Sequence, residues 1–120
     1  MKTRHIFLYV LIFLFNTTIF AQNVTNNGAR ITIAENTKVT LINSGNFTND
    51  NDGILTIQGG TVDGEIVIPG NFVNTNGTVD LDGVITLSGD FTNNDPLTNV
   101  FTTVDDDGTI VFAGTGQQII

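Results

Sequence analysis

The chain has 120 residues, of which 12 are acidic and four are basic, and it contains one histidine and no cysteine or tryptophan. After Ala21 two cations stand against all 12 acids, a net charge of −10, and no histidine or tyrosine remains. This composition excludes imidazole and thiolate chemistry at metal or catalytic sites. The charge repels nucleic-acid phosphates and anionic membrane surfaces, so we expect no nucleic-acid partner.

The segment that ends at Ala21 has the order of a secretory signal peptide. Lys2, Arg4 and His5 precede an unbroken apolar run over residues 6–15, and the small residue Ala21 ends the segment. The run is shorter than the roughly 20 apolar residues that span a membrane, and this order is typical of a cleaved leader. We expect a signal peptide over residues 1–21, export to the outside or surface of the cell, and no membrane insertion after cleavage. The alternative is an uncleaved N-terminal anchor.

The rest of the chain, residues 22–120, repeats a short unit with the pattern Asn or Asp, an apolar residue, Thr or Val, and Asn. A glycine precedes three of the four units. The units recur at intervals of roughly 20 residues, which is typical of a solenoid. They are Asn23-Val-Thr-Asn26, Asn46-Phe-Thr-Asn49, Asn71-Phe-Val-Asn74 and Asp90-Phe-Thr-Asn93.

A second unit, an Asp-Gly turn followed by an apolar strand, recurs between the first units. The three copies are Asp63-Gly64, Asp82-Gly83 and Asp107-Gly108. Short segments alternate apolar and polar residues and are bounded by Gly, Asn and Asp, which predicts strands. The alternating pairs are Ile31 and Ile33, Val39 and Leu41, Leu55 and Ile57, Val79 and Leu81, Ile85 and Leu87, and Ile110 and Phe112.

Strands this short cannot each bury an apolar face, but stacked coils can, so we predict an all-β parallel solenoid of about four short coils. Val24, Phe47, Phe72 and Phe91 would form an internal apolar column, and the last Asn of each unit would form an amide ladder. The alternative is an antiparallel β-sandwich, which also has short strands. A sandwich does not require the same Asn and Phe to recur at corresponding turns.

The repeated units resemble the β-solenoid repeats of large secreted surface proteins and adhesins of the Bacteroidetes. The resemblance is carried by Gly45-Asn-Phe-Thr-Asn49, Gly70-Asn-Phe-Val-Asn74, Gly89-Asp-Phe-Thr-Asn-Asn94 and the ending Gly114-Thr-Gly-Gln-Gln-Ile-Ile120, and it covers about residues 23–120. It implies a secreted, adhesin-like structural repeat. Such proteins are usually much longer, so we expect the chain to be a piece of a longer protein; otherwise its open end meets another molecule.

Acidic residues in the turns are the only candidates for a metal site. Asp80, Asp82, Asp105 and Asp107 stand as alternate aspartates before a glycine, an arrangement that can hold Ca²⁺ with hard oxygen ligands. The EF-hand pattern is incomplete, however, because Thr takes its first position and no Glu follows at the twelfth. Asp-Gly is also common in turns for conformational reasons alone. We expect no cofactor, with structural calcium as the alternative.

The composition favours a structural role over catalysis. Glycoside hydrolysis needs two carboxyl groups in a cleft, one with a raised pKa, whereas these aspartates belong to polar turns. Neither Trp nor Tyr is present after Ala21 to stack on a sugar. We expect a non-enzymatic spacer or interaction surface that associates with itself, or with an extracellular glycan or protein, through its open coil end. The alternative is a carbohydrate-binding or polysaccharide-processing β-helix module.

Overall fold

The computed structural model describes residues 22–95, 100–101 and 107–120. The predicted signal peptide (residues 1–21) and Asp105 lie outside these residues. The described part of the chain forms strands and contains no helix that could cross a membrane. The strands are β1 (Val24–Asn27), β2 (Arg30–Ile33), β3 (Lys38–Thr40), β4 (Phe47–Asp50), β5 (Gly53–Ile57), β6 (Glu65–Ile68), β7 (Phe72–Asn74), β8 (Gly77–Leu81), β9 (Val84–Leu87), β10 (Phe91–Asn93) and β11 (Thr109–Phe112).

The strands form three parallel sheets that run along the stack of repeats. The sheet orders are β1-β4-β7-β10, β2-β5-β8 and β3-β6-β9-β11. Each strand therefore pairs with its counterpart in the next repeat, so that β1–β3, β4–β6 and β7–β9 are the first, second and third coils. The fourth coil holds β10, β11 and Phe101, which bridges to Val79 of β8. The predicted parallel solenoid is confirmed, and the antiparallel sandwich is wrong because every named strand pair is parallel.

The core lies inside the coils and is made of apolar columns, each contributed by one position of the repeat. Leu55 pairs with Val79, and Ile66 pairs with Ile85, and all four are at most 2% exposed. The intervening residues face outward, as the two-residue period of a strand requires. Alternation in the sequence therefore sets which side chains enter the core.

The predicted phenylalanine column is confirmed. Phe47, Phe72 and Phe91 are paired in register, and their rings stack at centroid distances of 5.4 and 5.1 Å. Val24 precedes them in the same register. Phe101 from the neighbouring sheet continues the stack beyond Phe91 at 5.8 Å. Nearly parallel rings at this spacing place the aromatic faces against each other in the dry interior.

The first and fourth coils depart from the predicted burial. Val39 and Phe112 occupy inward positions, but they are 39% and 38% exposed, whereas their registered partners Ile66 and Leu87 are at most 2% exposed. Strands of the middle coils have a neighbour on both sides, whereas β3 of the first coil and β11 of the fourth are the edge strands of their sheet among the described residues. Alternation specifies the direction of a side chain, but a covering coil is also needed to exclude water.

Candidate functional site

The last Asn of each repeat unit forms a buried amide ladder. Asn26 donates from Nδ2 to Asn49 Oδ1 (2.9 Å), Asn49 donates to Asn74 Oδ1 (3.3 Å), and Asn74 donates to Asn93 Oδ1 (2.9 Å). Asn26, Asn49 and Asn74 are at most 1% exposed. Asn49 and Asn74 each accept from one neighbouring amide and donate to the other, which satisfies polar groups that burial would otherwise penalise. The predicted ladder is confirmed.

Backbone carbonyl groups beside the ladder hold Asn49 in place, and Gly53 leaves room for the amides because it has no side chain. Asn49 Nδ2 also donates to the carbonyl oxygens of Gly53 (3.1 Å) and Thr78 (3.0 Å). A Cβ on Gly53 would lie 2.7 Å from Asn49 Oδ1 and 2.8 Å from Asn26 Nδ2. Gly53 therefore permits the close approach of backbone to the amides, which is a requirement that the repeat pattern does not by itself reveal.

A second ladder, which the sequence interpretation missed, uses the first residue of each unit. Asn23 Oδ1 accepts from the backbone N–H of Asn46 (3.0 Å), Asn46 Oδ1 accepts from that of Asn71 (2.7 Å), and Asn71 Oδ1 accepts from that of Asp90 (2.9 Å). These side chains are solvent-accessible and bond to backbone across the coils. The sequence contained a signal for this ladder: Asn or Asp stands first in every unit, and both residues carry the required acceptor oxygen.

The C-terminal segment continues this outer ladder by one step. The backbone N–H of Ile119 donates to Asp90 Oδ1 (2.9 Å), and Ile119 O accepts from the N–H of Phe91 (3.0 Å). Gln118 anchors the segment, because its Nε2 donates to the carbonyl oxygens of Leu87 (3.1 Å) and Gly89 (2.6 Å). Ile119 thus lies in the register position of Asp90 in a further coil.

The Asp-Gly turns stack into an acidic column on the outside of the coils. Asp63, Asp82 and Asp107 line one cavity of about 430 Å³ together with Gly59 and Gly60. The three aspartates immediately precede the turn glycines, and the stacked strands β6, β9 and β11 begin directly after those glycines. Similar positions in successive coils therefore bring together carboxylates that are distant in the sequence.

Local hydrogen bonds and close packing explain the residue types of these turns. Asp63 Oδ1 accepts from the N–H of Gly60 (3.2 Å), as aspartate commonly does in turns. A Cβ on Gly83 would collide with the carbonyl oxygen of Gly64 in the coil below. The Asp-Gly pair thus combines a side chain that orders the turn with a residue that lets the backbones stack closely.

The calcium candidates do not all come together in the structure. Asp82 and Asp107 share the acidic column, and Asp63, which was not among the predicted ligands, joins them. Asp80 lies within β8, where it pairs with Thr56 and not with the column, and Asp105 is outside the described residues. Among the residues described, no group of three or more His, Cys, Asp or Glu side chains is arranged to hold a metal ion.

The turn between β4 and β5 supports the conformational interpretation of its acidic residues. Asn51 and Asp52 have φ angles of 52° and 60°. This left-handed region is sparsely populated by most residues, but Asn and Asp tolerate it. The backbone of this turn therefore accounts for Asp52 without a ligand.

Basic side chains of the first coil contact the second coil. Lys38 Nζ lies 2.8 Å from Glu65 Oε2, and Arg30 Nη1 donates to Thr56 Oγ1 (3.1 Å). The Lys38 ammonium holds the pKa of Glu65 below its ordinary value, and a hydrogen bond from Thr86 acts in the same direction. These groups are on the outer sheet faces, so they stabilise the contact between coils instead of forming a reactive centre.

Comparison of the chain with protein-family models, curated proteins and solved structures returned no match.

Proposed function

We propose that the chain is a structural module of a secreted or cell-surface, adhesin-like protein, in which the solenoid acts as a rigid spacer or interaction surface. The observation that carries this proposal is the unbroken register of the apolar columns and of the two side-chain ladders through the coils. Continuous parallel sheets connect each coil to the next, so the position of one coil sets that of its neighbour. Such a stack keeps its two ends at a fixed distance and orientation, and this role needs no catalytic group.

Extracytoplasmic location is supported by composition and by the order of residues in the leader. Residues 1–21 match the pattern of an export signal, and a chain without cysteine can fold in an oxidising compartment without forming disulfides. The charge of −10 after Ala21 favours solubility at high local concentration. Hydrogen bonds and packed columns supply the stability that disulfides give to other exported proteins.

The alternative role in carbohydrate binding or processing has less support. Sugar recognition in solenoids would use a row of exposed aromatic faces, but Phe47, Phe72 and Phe91 are at most 7% exposed and face each other. Phe112, at 38% exposed, is a single ring at an edge strand. The described lining of the acidic column consists of aspartates and glycines, and it offers neither a cationic side chain to bind an acidic sugar nor an aromatic ring to stack on one. We therefore expect neither binding nor cleavage when the exported protein is titrated with neutral and acidic polysaccharides. Saturable binding or release of reducing ends would instead favour the carbohydrate module.

Duplication of one coil tests the spacer role directly. Phe72 and Phe91 are registered partners and Gly89 N–H donates to Gly70 O (2.9 Å), so residues 70–88 are one full period. Inserting a second copy of residues 70–88 between Ser88 and Gly89 keeps every column in phase. We expect a folded protein that is longer by about 4.8 Å, the spacing of neighbouring strands, and at least as stable as the parent in urea.

A matched control duplicates residues 70–80 and therefore adds only part of a coil. This insertion puts the following strands out of phase, and we expect it to reduce stability or prevent folding. Circular dichroism, urea unfolding and small-angle scattering provide the comparison. If both insertions are tolerated equally, or if the full-period insertion unfolds the protein, the modular spacer proposal is wrong.

A further inference from the structure

The chain contains two Asn-Gly pairs, Asn27-Gly28 and Asn76-Gly77, whose two residues can react with each other. The backbone nitrogen of the glycine attacks Cγ of the asparagine and closes a succinimide ring as ammonia leaves. Glycine favours this attack because it has no Cβ to obstruct the ring. Water then opens the ring at either carbonyl and leaves aspartate or isoaspartate, and the backbone of isoaspartate is longer by one methylene group.

The fold protects the first of these pairs. Asn27 belongs to β1 and is registered with Asp50 of β4. The Gly28 N–H, which contains the attacking nitrogen, donates to Asp50 O (3.1 Å). This bond between coils must break before the nitrogen can turn toward Cγ of Asn27. Reaction at the first pair therefore requires the first coil to open.

The second pair is held differently. Asn76 lies between β7 and β8, is exposed, and makes no side-chain hydrogen bond within the described part of the chain, so its amide can turn toward the backbone. Val79 N–H donates to Val100 O (2.6 Å), and the two-residue period of a strand directs the Gly77 N–H to the same side, away from β5. The second coil therefore does not hold the attacking nitrogen.

A hydrogen bond to Asn76 makes the neighbouring nitrogen more reactive. Asp52 N–H donates to Asn76 O (2.6 Å). This donor draws electron density from the peptide group that joins Asn76 to Gly77, because hydrogen-bonded groups polarise one another. The Gly77 N–H becomes more acidic, and its proton must leave before the nitrogen can attack. Asn76 and Gly77 also line one cavity of about 240 Å³, which gives water and dissolved base access to both residues.

The buried amide ladder requires the glycine of this pair. A Cβ on Gly77 would lie 2.7 Å from Gly53 O and would collide with Asn49 Nδ2. Asn49 Nδ2 also donates to Thr78 O (3.0 Å), so the first residues of β8 pack directly against the ladder. A side chain at residue 77 would therefore disrupt the ladder, and a longer backbone at this point would displace it.

We propose that Asn76-Gly77 is a site of spontaneous deamidation, and that its isoaspartate product weakens the contact between the second and third coils. The Gly77 nitrogen gives its proton to a base in solution and bonds to Asn76 Cγ, the Cγ–Nδ2 bond breaks, and the amide nitrogen leaves as ammonia. Water then opens the ring and leaves a carboxylate beside Asp52 and Asp95, which line the same cavity. The product adds a like charge and a backbone methylene group next to the buried ladder.

Peptide mapping of aged protein measures both pairs in one sample. After Ala21 the basic residues are Arg30 and Lys38, so trypsin places Asn27 and Asn76 on different peptides. The full chain is expressed with its own leader, recovered after export, and incubated at mildly alkaline pH, either folded or in urea. Mass spectrometry measures the conversion of amide to acid, and electron-transfer fragmentation distinguishes isoaspartate from aspartate.

We expect Asn76 to react severalfold faster than Asn27 in the folded protein, and the two rates to become similar in urea, where both pairs lose their surroundings. Aged wild type should unfold at a lower urea concentration than fresh protein. Asn76→Gln is the matched control, because its amide carbon is one methylene group farther from the Gly77 nitrogen and closes a ring much less readily. This variant should keep its unfolding midpoint through the same incubation.

Equal rates at the two pairs in the folded protein would overturn the proposal. A preference for Asn76 that persists unchanged in urea would also overturn it, because the local sequence and not the fold would then be the cause. If aged wild type keeps the unfolding midpoint of fresh protein, or if Asn76→Gln loses as much stability on ageing, the modification does not act on the ladder.

Asn76→Asp separates the added charge from the longer backbone. The fresh variant carries the carboxylate without the extra methylene group, so it should lose less stability in urea than fully aged wild type. An equal loss would assign the effect to charge alone and contradict the role of the isoaspartate backbone.

Discussion

The two amide ladders show how burial changes the role of the same residue type. Asn71 and Asn74 stand on either side of Phe72 in one repeat unit, and both link coils through Oδ1. Asn74 is fully buried and bonds to other side-chain amides, whereas Asn71 is exposed and bonds to a backbone N–H. Water can replace the partner of Asn71, but it cannot enter to replace the partners of Asn74.

This difference implies that the interior determines the stability of the stack. An unmade hydrogen bond in the interior carries the full desolvation penalty, whereas an exposed group returns to water at little loss. The buried ladder and its neighbouring phenylalanines therefore form the energetically important layer. The outer ladder helps to set the register of the coils and contributes only modestly to the free energy of unfolding.

The largest expected effect comes from truncating the aromatic column beside the buried ladder. Phe72 is completely buried between Phe47 and Phe91. Phe72→Ala should lower the free energy of unfolding by about 4 kcal/mol, because it removes apolar burial and leaves a cavity. Urea unfolding measures the change, and Val73→Ala on the outer face of the same strand is the control. Equal losses would show that the inward column is no more important than the surface.

Removing the central amide should have the next largest effect. Asn49 donates to Asn74 and to two carbonyl oxygens and accepts from Asn26. Asn49→Ala leaves several of these buried groups without a partner and should cost about 3 kcal/mol. The measurement is urea unfolding, with hydrogen exchange of the β4 and β7 amides as a local readout. A loss below about 1 kcal/mol would contradict the importance assigned to the buried ladder.

The corresponding truncation in the outer ladder should be much milder. Asn71→Ala removes the acceptor of the Asp90 N–H, but both groups can be hydrated. We expect a loss of about 0.5 kcal/mol, near the lower limit for a hydrogen bond in a folded protein. The comparison between the ladders fails if Asn71→Ala and Asn49→Ala destabilise the protein equally in the same urea series.

The smallest effect should come from the surface ion pair between the first and second coils. Since the pKa of Glu65 is lowered from its ordinary value of 4.5, its stabilisation is present above that value and is lost as the pH falls through the lower folded-state pKa. Lys38 is largely exposed, so Glu65→Gln should cost less than about 1 kcal/mol at neutral pH. The difference from wild type should vanish in acid. A difference that persists or grows as the carboxylate is protonated would contradict the assigned ion pair.

The sequence predicted the columns because equivalent positions in stacked coils have the same environment and therefore carry the same type of residue. Phe47, Phe72 and Asn49 could be assigned to the interior from their recurrence alone. Asp63 was not among the predicted ligands because the pattern of alternate aspartates lies within one segment of the chain, whereas the stacked coils bring one aspartate from each coil to the same cavity. Gln118 stands where Gly89, Gly70 and Gly45 stand in the other coils, so the recurrence of residue types does not reveal its contacts.

Disulfide trapping on the outer face tests coil-on-coil register most directly, since the native chain contains no cysteine. Thr48 and Val73 are registered partners on adjacent parallel strands, and Thr25 precedes Thr48 in the same column. Neighbouring strands are about 4.8 Å apart, within reach of a disulfide, whereas residues two coils apart exceed its limit of about 7 Å. Mild oxidation should therefore cross-link Thr48→Cys/Val73→Cys within one molecule and leave Thr25→Cys/Val73→Cys reduced. An intramolecular cross-link in the second pair but not in the first would contradict the stacked register.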